Sequence, residues 1–317
     1  MISHWDELEP TRRERGHIAA AWRSLTGEAS EWVGVQRIDV DPGKWATPLH
    51  LEASEEEIFF VLSGSGVSVQ WDGSVEEAFD VRTGDCLVHL ALEHGHTIRA
   101  GEDGLSVLAF GERHYPANTL LPRAGVSWLG PTWVLQGEPD DHPWAREAAA
   151  GPPQVGELQP RPARIVNVDQ VESSRRAGAT VAHRARDLGR AAGSLKTGLR
   201  LYDVDPGKLV NPPHAHSAEE EIFVVLGGEG TLELWPHPRF GGDHEEHAVR
   251  TGSTITRPAG TGIAHAFRAG PEGLRLLAYG QRDPRDLTYY PRSDKVSIRG
   301  LGVIARLERL DYWEGED

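Results

Sequence analysis

Three histidines and a glutamate, His214, His216, Glu221 and His265, carry the chemistry most legible in this chain. Imidazole nitrogens and a carboxylate oxygen are donors that divalent metal ions take readily, and four of them leave one or two coordination positions for water or substrate. His214 and His216 are separated by one residue, so on an extended strand both face the same way. Glu221 follows His216 at an odd offset, which requires a turn through Ser217 and Ala218 before a second strand presents it. His265 comes after a Gly/Pro-rich turn, as a ligand from a further strand would.

Strands must therefore do the positioning, and the chain supplies them. Val67, Val69 and Trp71 alternate, as do Leu232 and Leu234, while residues 105–110 and 274–279 are fuller apolar runs. Short strands divided by Gly/Pro turns indicate an all-β jelly roll or sandwich. The same text is also written twice. At a shift of 164, residues 41–66 overlie 205–230 without a gap, and 15 of those 26 positions are identical. Val81-Arg82-Thr83-Gly84 recurs as Val249-Arg250-Thr251-Gly252, and Arg99-Ala100-Gly101 as Arg268-Ala269-Gly270. So long a period means duplicated domains and not a solenoid. We place them at 1–140 and 163–317, joined by a proline-rich linker at 141–162 in which residues 145–150 can make a helical turn.

On these residues each half resembles a cupin, and the whole resembles a bicupin. The family's first motif, roughly Gly-(x)5-His-x-His-(x)3-4-Glu-(x)6-Gly, runs here from Gly207 through His214, His216 and Glu221 to Gly228, with one extra residue before the first histidine. Of the second motif Gly252, Pro258, Gly260 and His265 match, although two extra residues precede the histidine and no asparagine follows. The resemblance implies two tandem jelly-roll barrels (double-stranded β-helices) and a divalent ion, manganese, iron, nickel, copper or zinc, held by His214, His216, Glu221 and His265. Glu221 is chosen because it alone keeps the six-residue spacing to Gly228; Glu219 and Glu220 read as a solvated acidic turn. The equivalents in the first half are His50, Glu52, Glu57 and His96, with Leu90 and Leu92 replacing Pro258 and Gly260. That set suits a hard ion such as manganese or is a relic, with His94 as a stand-in for His96.

The resemblance further implies a small-molecule enzyme, foremost an oxidoreductase of the dioxygenase type, with Glu221 doubling as a base. A sensory or metabolite-binding protein and an oxygen-independent decarboxylase or isomerase are the alternatives. Trp235, Phe267, Tyr279 and Tyr290 are either pocket lining or ordinary core, with core packing favoured. A formal net charge of -15 argues against nucleic acid or an anionic membrane as partners. Arginines near the start of each half, among them Arg12, Arg161, Arg164, Arg175 and Arg186, read as a solvated face paired with acidic surface. The single cysteine, Cys86, excludes an intrachain disulfide, fits a reducing cytoplasm and reads as a buried apolar residue. Nucleotide-binding glycine loops and a nucleophile elbow are missing, so the chemistry falls to the metal. Residues 301–313 are expected to form a terminal strand covering a sheet edge, its own or a neighbour's; exchange of that kind points to a homodimer, with the alternative that the two fused barrels already act as a pseudo-dimer.

Overall fold

A computed structural model describes residues 2–27, 30–114, 117–129, 132–133, 143–237 and 241–316. The first two residues of the linker read from the sequence lie outside them. Each half is a barrel built from an eight-stranded and a four-stranded antiparallel sheet, as the sequence pattern requires. In the first, the long strands Glu57–Trp71 and Gly95–Glu112 pair centrally, and Val33–Val40, Ile18–Ser24 and Thr11–Arg15 continue the sheet. Leu51–Glu52, Asn118–Leu121, Val126–Leu129 and Thr132–Trp133 make the small sheet. The second barrel repeats this around Glu221–Pro236 and Ile263–Gln281.

Each long strand serves two walls because it bends at a glycine bulge. Pairing shifts at Gly64–Gly66 and at Gly228–Gly230. Gly228 has φ 77°, and a Cβ on it would stand 2.3 Å from the Gly273 carbonyl oxygen, so no other residue fits.

The fuller apolar runs now have a physical reason. Along Ile58-Phe59-Phe60-Val61, period 2 sends Phe59 and Val61 into the barrel and Ile58 and Phe60 out of it. Outside is not solvent but the other barrel, where Ile222, Val224, Leu277 and Tyr279 meet them in one shared core. Phe110 and Tyr279, equivalent under the duplication, face each other with ring centroids 5.0 Å apart, as at a twofold axis. Strands buried on both faces lose their polar alternation. Cys86 is part of this shared core and fully buried, the apolar residue expected.

Two short strands change sides. Ile2–His4 pairs with Ser253–Arg257 of the second barrel, and Ile165–Asn167 pairs with Asp85–His89 of the first. The structural units thus differ from the divisions at 140 and 163 by these two strands. Strands are thus exchanged between the two halves of one chain. Of residues 301–313, Val303–Arg306 forms the terminal strand expected and covers the edge of its own small sheet at Lys295–Ile298. Leu301, Ile304, Tyr312 and Trp313 are exposed. The helical turn is present as Pro143–Ala149, with the proline at the first helical position. Trp144 and Glu147 of this helix are buried against the first barrel, and the following chain straps it through Gln159 to Ala78 and Arg161 to Asp80 and Asp85. Arg12, Arg164, Arg175 and Arg186 pair with Asp41, Glu93, Asp205 and Asp203. Among the described residues no helix is long and apolar enough to cross a membrane.

The solvated acidic turn must be corrected. Glu220 is 1 % exposed and accepts hydrogen bonds from the backbone N–H groups of Glu31, Trp32 and Val33 in the other barrel. Glu56, its equivalent, is also 1 % exposed and accepts from Ser194, Leu195, Lys196 and both donors of Thr197. Glu219 is 3 % exposed, pairs with Arg299 and accepts from the Asp283 N–H. The middle glutamate of each Glu-Glu-Glu run is a bolt between barrels, and the cause is burial by the partner barrel, which a single motif does not reveal.

Candidate metal centre

His214 and His265 are placed by a reciprocal pair of backbone hydrogen bonds, His214 N–H to His265 C=O at 3.2 Å and the reverse at 2.8 Å. His216 ends the short strand Ala215–His216, opposite Thr288. After the turn at Ser217–Glu220, Glu221 opens the long strand and enters the same space. Glu221 Oε2 lies 3.1 Å from His265 Nε2, 3.3 Å from His216 Nε2 and 3.8 Å from His214 Nε2. All four expected ligands meet.

Three of these atoms, His216 Nε2, Glu221 Oε2 and His265 Nε2, are buried without a well-formed hydrogen bond. Buried polar atoms normally have partners, so converging orphans of this kind fit a cation. Burial alone would raise the pKa of Glu221, but the facing His216 and His265 outweigh it and hold the carboxyl well below its usual range. Burial takes His265 down to about 3, leaving its imidazole neutral and able to ligate.

The far sides of the rings fix which nitrogen faces inward. His214 Nδ1 lies 2.8 Å from the Pro212 carbonyl, and His216 Nδ1 lies 2.7 Å from Asp286 Oδ2. Asp286 is fully buried and also accepts from the N–H groups of Ser217 and Ala218 and from the Thr288 hydroxyl. Burial would lift its pKa, but the His216 hydrogen bond prevails and takes it to about 2. The motif does not disclose Asp286, which lies 70 residues from His216. A carboxylate behind a ligating imidazole sets its tautomer and raises its basicity. We therefore expect Asp286→Asn to weaken divalent-metal binding about 10- to 100-fold, measured by chelator competition with the circular dichroism spectrum unchanged.

The N-terminal barrel gathers its four candidates too, but differently. His96 Nε2 is hydrogen-bonded to Glu57 Oε2 at 2.9 Å, and His50 Nε2 stands 3.5 Å from the same oxygen. Glu52 Oε1 is 3.9 Å from His50 Nε2, and both its oxygens accept from Thr119 at 2.9 Å. This cluster satisfies much of its own polarity. His94 lies apart, 3.3 Å from Arg164, and does not stand in for His96. Leu92 keeps the left-handed backbone of Gly260, φ 61° against 70°, so the turn survives the loss of its glycine.

One cavity opens on the N-terminal cluster, and a second lies beside the C-terminal one, at Pro212 and Tyr290. The first, of about 730 Å3, reaches His50, Glu55 and Glu57, with Trp22 and Trp128 also lining it. The other, about 420 Å3, is lined by Arg176, Arg200, Lys295, Tyr202 and Tyr290. Tyr290 stacks on His214 with centroids 5.9 Å apart, making it a pocket residue. Phe267 and Tyr279 are core, and Trp235 packs on His244.

A family model described as cupin domain matches residues 200–279. Auxin-binding protein T92 of Nicotiana tabacum is 32% identical over 133 residues, covering 39% of this chain and 67% of that protein. Auxin-binding protein 1 of Arabidopsis thaliana is 34% identical over 130 residues, covering 39% and 61%. Among solved structures, Lactobacillus farciminis oxalate decarboxylase in a formate complex matches with TM-score 0.61 at 15% identity, over 89% of this chain and 86% of that one. A Bacillus subtilis oxalate decarboxylase variant matches with TM-score 0.62 at 18% identity, over 89% and 77%. These structural matches establish the tandem-barrel fold and nothing further.

Proposed function

Because the chain belongs to the cupin superfamily as a two-barrel member, we propose that it is a metal-dependent enzyme acting on a small organic acid at its C-terminal centre. The observation that carries this reading is the set of buried, unpaired donor atoms converging from His216, Glu221 and His265. A divalent ion held there supplies Lewis acidity and, as iron, copper or manganese, electron transfer. The chain's own residues supply the rest. Asp286 fixes the His216 tautomer, and Tyr290 covers His214. Beside Tyr290 lies a cavity of about 420 Å3, room for a small molecule, with Arg176, Lys295 and an Arg200–Asp187 pair in its lining. Glu221, the one carboxylate among the four, is assigned the role of base when it is released from the ion, since its depressed pKa makes it a weak acceptor while it is held there. The N-terminal set, His50, Glu52, Glu57 and His96, is assigned weaker binding of a hard ion such as manganese.

The reaction class assigned first is oxidation of the dioxygenase type. Oxygen-independent decarboxylation is the second reading, favoured by the fold shared with oxalate decarboxylases. The test is turnover on phenolic, flavonoid, thiol and dicarboxylic acids by protein reconstituted with manganese, iron, nickel, copper or zinc. Oxygen uptake matching product is expected. Carbon dioxide release under strict anaerobiosis would transfer the assignment to the second reading. Inertness with every metal would leave a binding protein, as the auxin-binding relatives are named.

A further inference from the structure

The second barrel ends on a sheet edge that no described residue closes. Val303–Arg306 is the last strand of its small sheet, paired on one side with Lys295–Ile298 and open on the other. Among the described residues, seven of the fifteen exposed large apolar side chains lie between Leu301 and Trp313. The first half ends differently. After its small sheet the chain turns back onto its own barrel and leaves Trp144 8 % exposed, whereas Trp313 is 64 % exposed. Natural proteins blunt such edges with charges, above all lysine, or with proline, because an open apolar strand pairs readily with another. Arg299 to Leu307 contains two arginines and no acid, lysine or proline.

The register tells which groups the edge presents. The Leu307 N–H donates to the Asp294 carbonyl, so the hydrogen-bonded positions along this strand are 307, 305 and 303. Ile304 and Arg306 therefore turn their N–H and C=O groups outward. These two residues are symmetric about Ala305. A second copy of the strand, run antiparallel across a twofold axis at Ala305, satisfies them all by exchange between Ile304 of one copy and Arg306 of the other. Facing residues share a side of the sheet, so Val303 then meets Leu307, and alanine, the smallest side chain of the strand, meets itself.

Charge and area agree with that occupant. Two copies of a chain with formal net charge -15 repel each other, and an acid-free edge weakens the repulsion locally. Stable interfaces bury about 1,200–2,000 Å2. A ring such as that of Tyr312 or Trp313 buries about 150–250 Å2 when covered, so these rings from two copies supply roughly half of it. Ile304 also lines the C-terminal cavity, and a facing arginine lies on the same side of the sheet.

We propose that two copies of this chain pair antiparallel through Val303–Arg306 about Ala305, each placing its Arg306 at the rim of the other's C-terminal cavity. The pairing is independent of what the barrels bind.

The test uses the full chain. Sedimentation velocity on the native protein is expected to show a species of twice the mass of one chain. Ile304→Arg sets like charges side by side at both crossings and is expected to weaken the dimer about tenfold. Ile304→Asp, which meets the same arginine with opposite charge, is expected to keep it. Ala305→Cys is expected to form a covalent dimer under oxidised glutathione, since the Cα atoms of a facing pair without hydrogen bonds stand about 4.5 Å apart, within disulfide reach. Cys86 is buried and takes no part. Ile304→Cys, whose thiol faces Arg306 and not its own copy, is expected to crosslink far less. A monomeric native protein would overturn the proposal, as would a dimer equally indifferent to Ile304→Arg and Ile304→Asp. Crosslinking no stronger at position 305 than at 304 would refute the register even where a substitution at 304 disturbs folding.

Discussion

His214→Ala protein will lose most of its tightly bound divalent metal, and His50→Ala will lose little. Removing a direct ligand should cost more than the roughly 10- to 100-fold expected when an outer partner is lost. The asymmetry follows from what the donor atoms do already. In the C-terminal cluster His216 Nε2, Glu221 Oε2 and His265 Nε2 are buried with no well-formed hydrogen bond, so a cation satisfies all three at once. In the N-terminal cluster His96 is hydrogen-bonded to Glu57, and Glu52 to Thr119, so a cation must first displace existing contacts. Elemental analysis of the native protein beside the two variants decides the matter. Equal losses from both would sink the distinction between barrels.

The second large effect is expected at a residue that touches no ligand. Glu56→Ala deprives Ser194, Leu195, Lys196 and Thr197 of their acceptor in the opposite barrel. Removing one side of a buried charged network costs about 3–5 kcal/mol, a large share of the roughly 5–15 kcal/mol by which domains are stable. Burial would raise the Glu56 pKa, but hydrogen bonds from Thr197, Leu195, Ser194 and Lys196 outweigh it and hold it below its ordinary value of 4.5. A carboxyl depressed on folding stabilises fully above its unfolded pKa, and the contribution is lost as pH falls through the lower folded value. The native protein should therefore weaken on acidification below about 4.5. Glu56→Gln, already weakened at neutral pH, should show a flatter acid limb. Thermal melts from pH 7 to pH 3 check both, and a Glu56→Ala melt matching the native one would refute the bolt.

The fold was legible because duplication repeats its signals: two Asp-Pro-Gly-Lys starts, two glycine bulges, and His50, Glu52 and Glu57 at the spacing of His214, His216 and Glu221. The ligands were legible for a simple reason, that histidines one residue apart and a glutamate at fixed distance from a glycine are local features. The functions of Glu56, Glu219 and Glu220 were not, because what buries them comes from elsewhere in the chain. Yet a signal existed. All three acids recur in both halves, although only the last is assigned to the metal. Asp286 was readable in principle too, since the halves differ together: His216 faces Asp286, whereas Glu52 and Ala117 occupy the equivalent positions in the first half. The crossed strands at Ile2–His4 and Ile165–Asn167 are three residues each, too short to announce a partner far along the chain.

That crossing bears on how such a chain could have arisen. A one-barrel forebear lending a strand to its twin would need every change to suit both copies, because each gene product met only itself. Within one chain that constraint is absent while the embrace is kept: the second half carries His216 where the first has Glu52, and neither choice has to be mirrored.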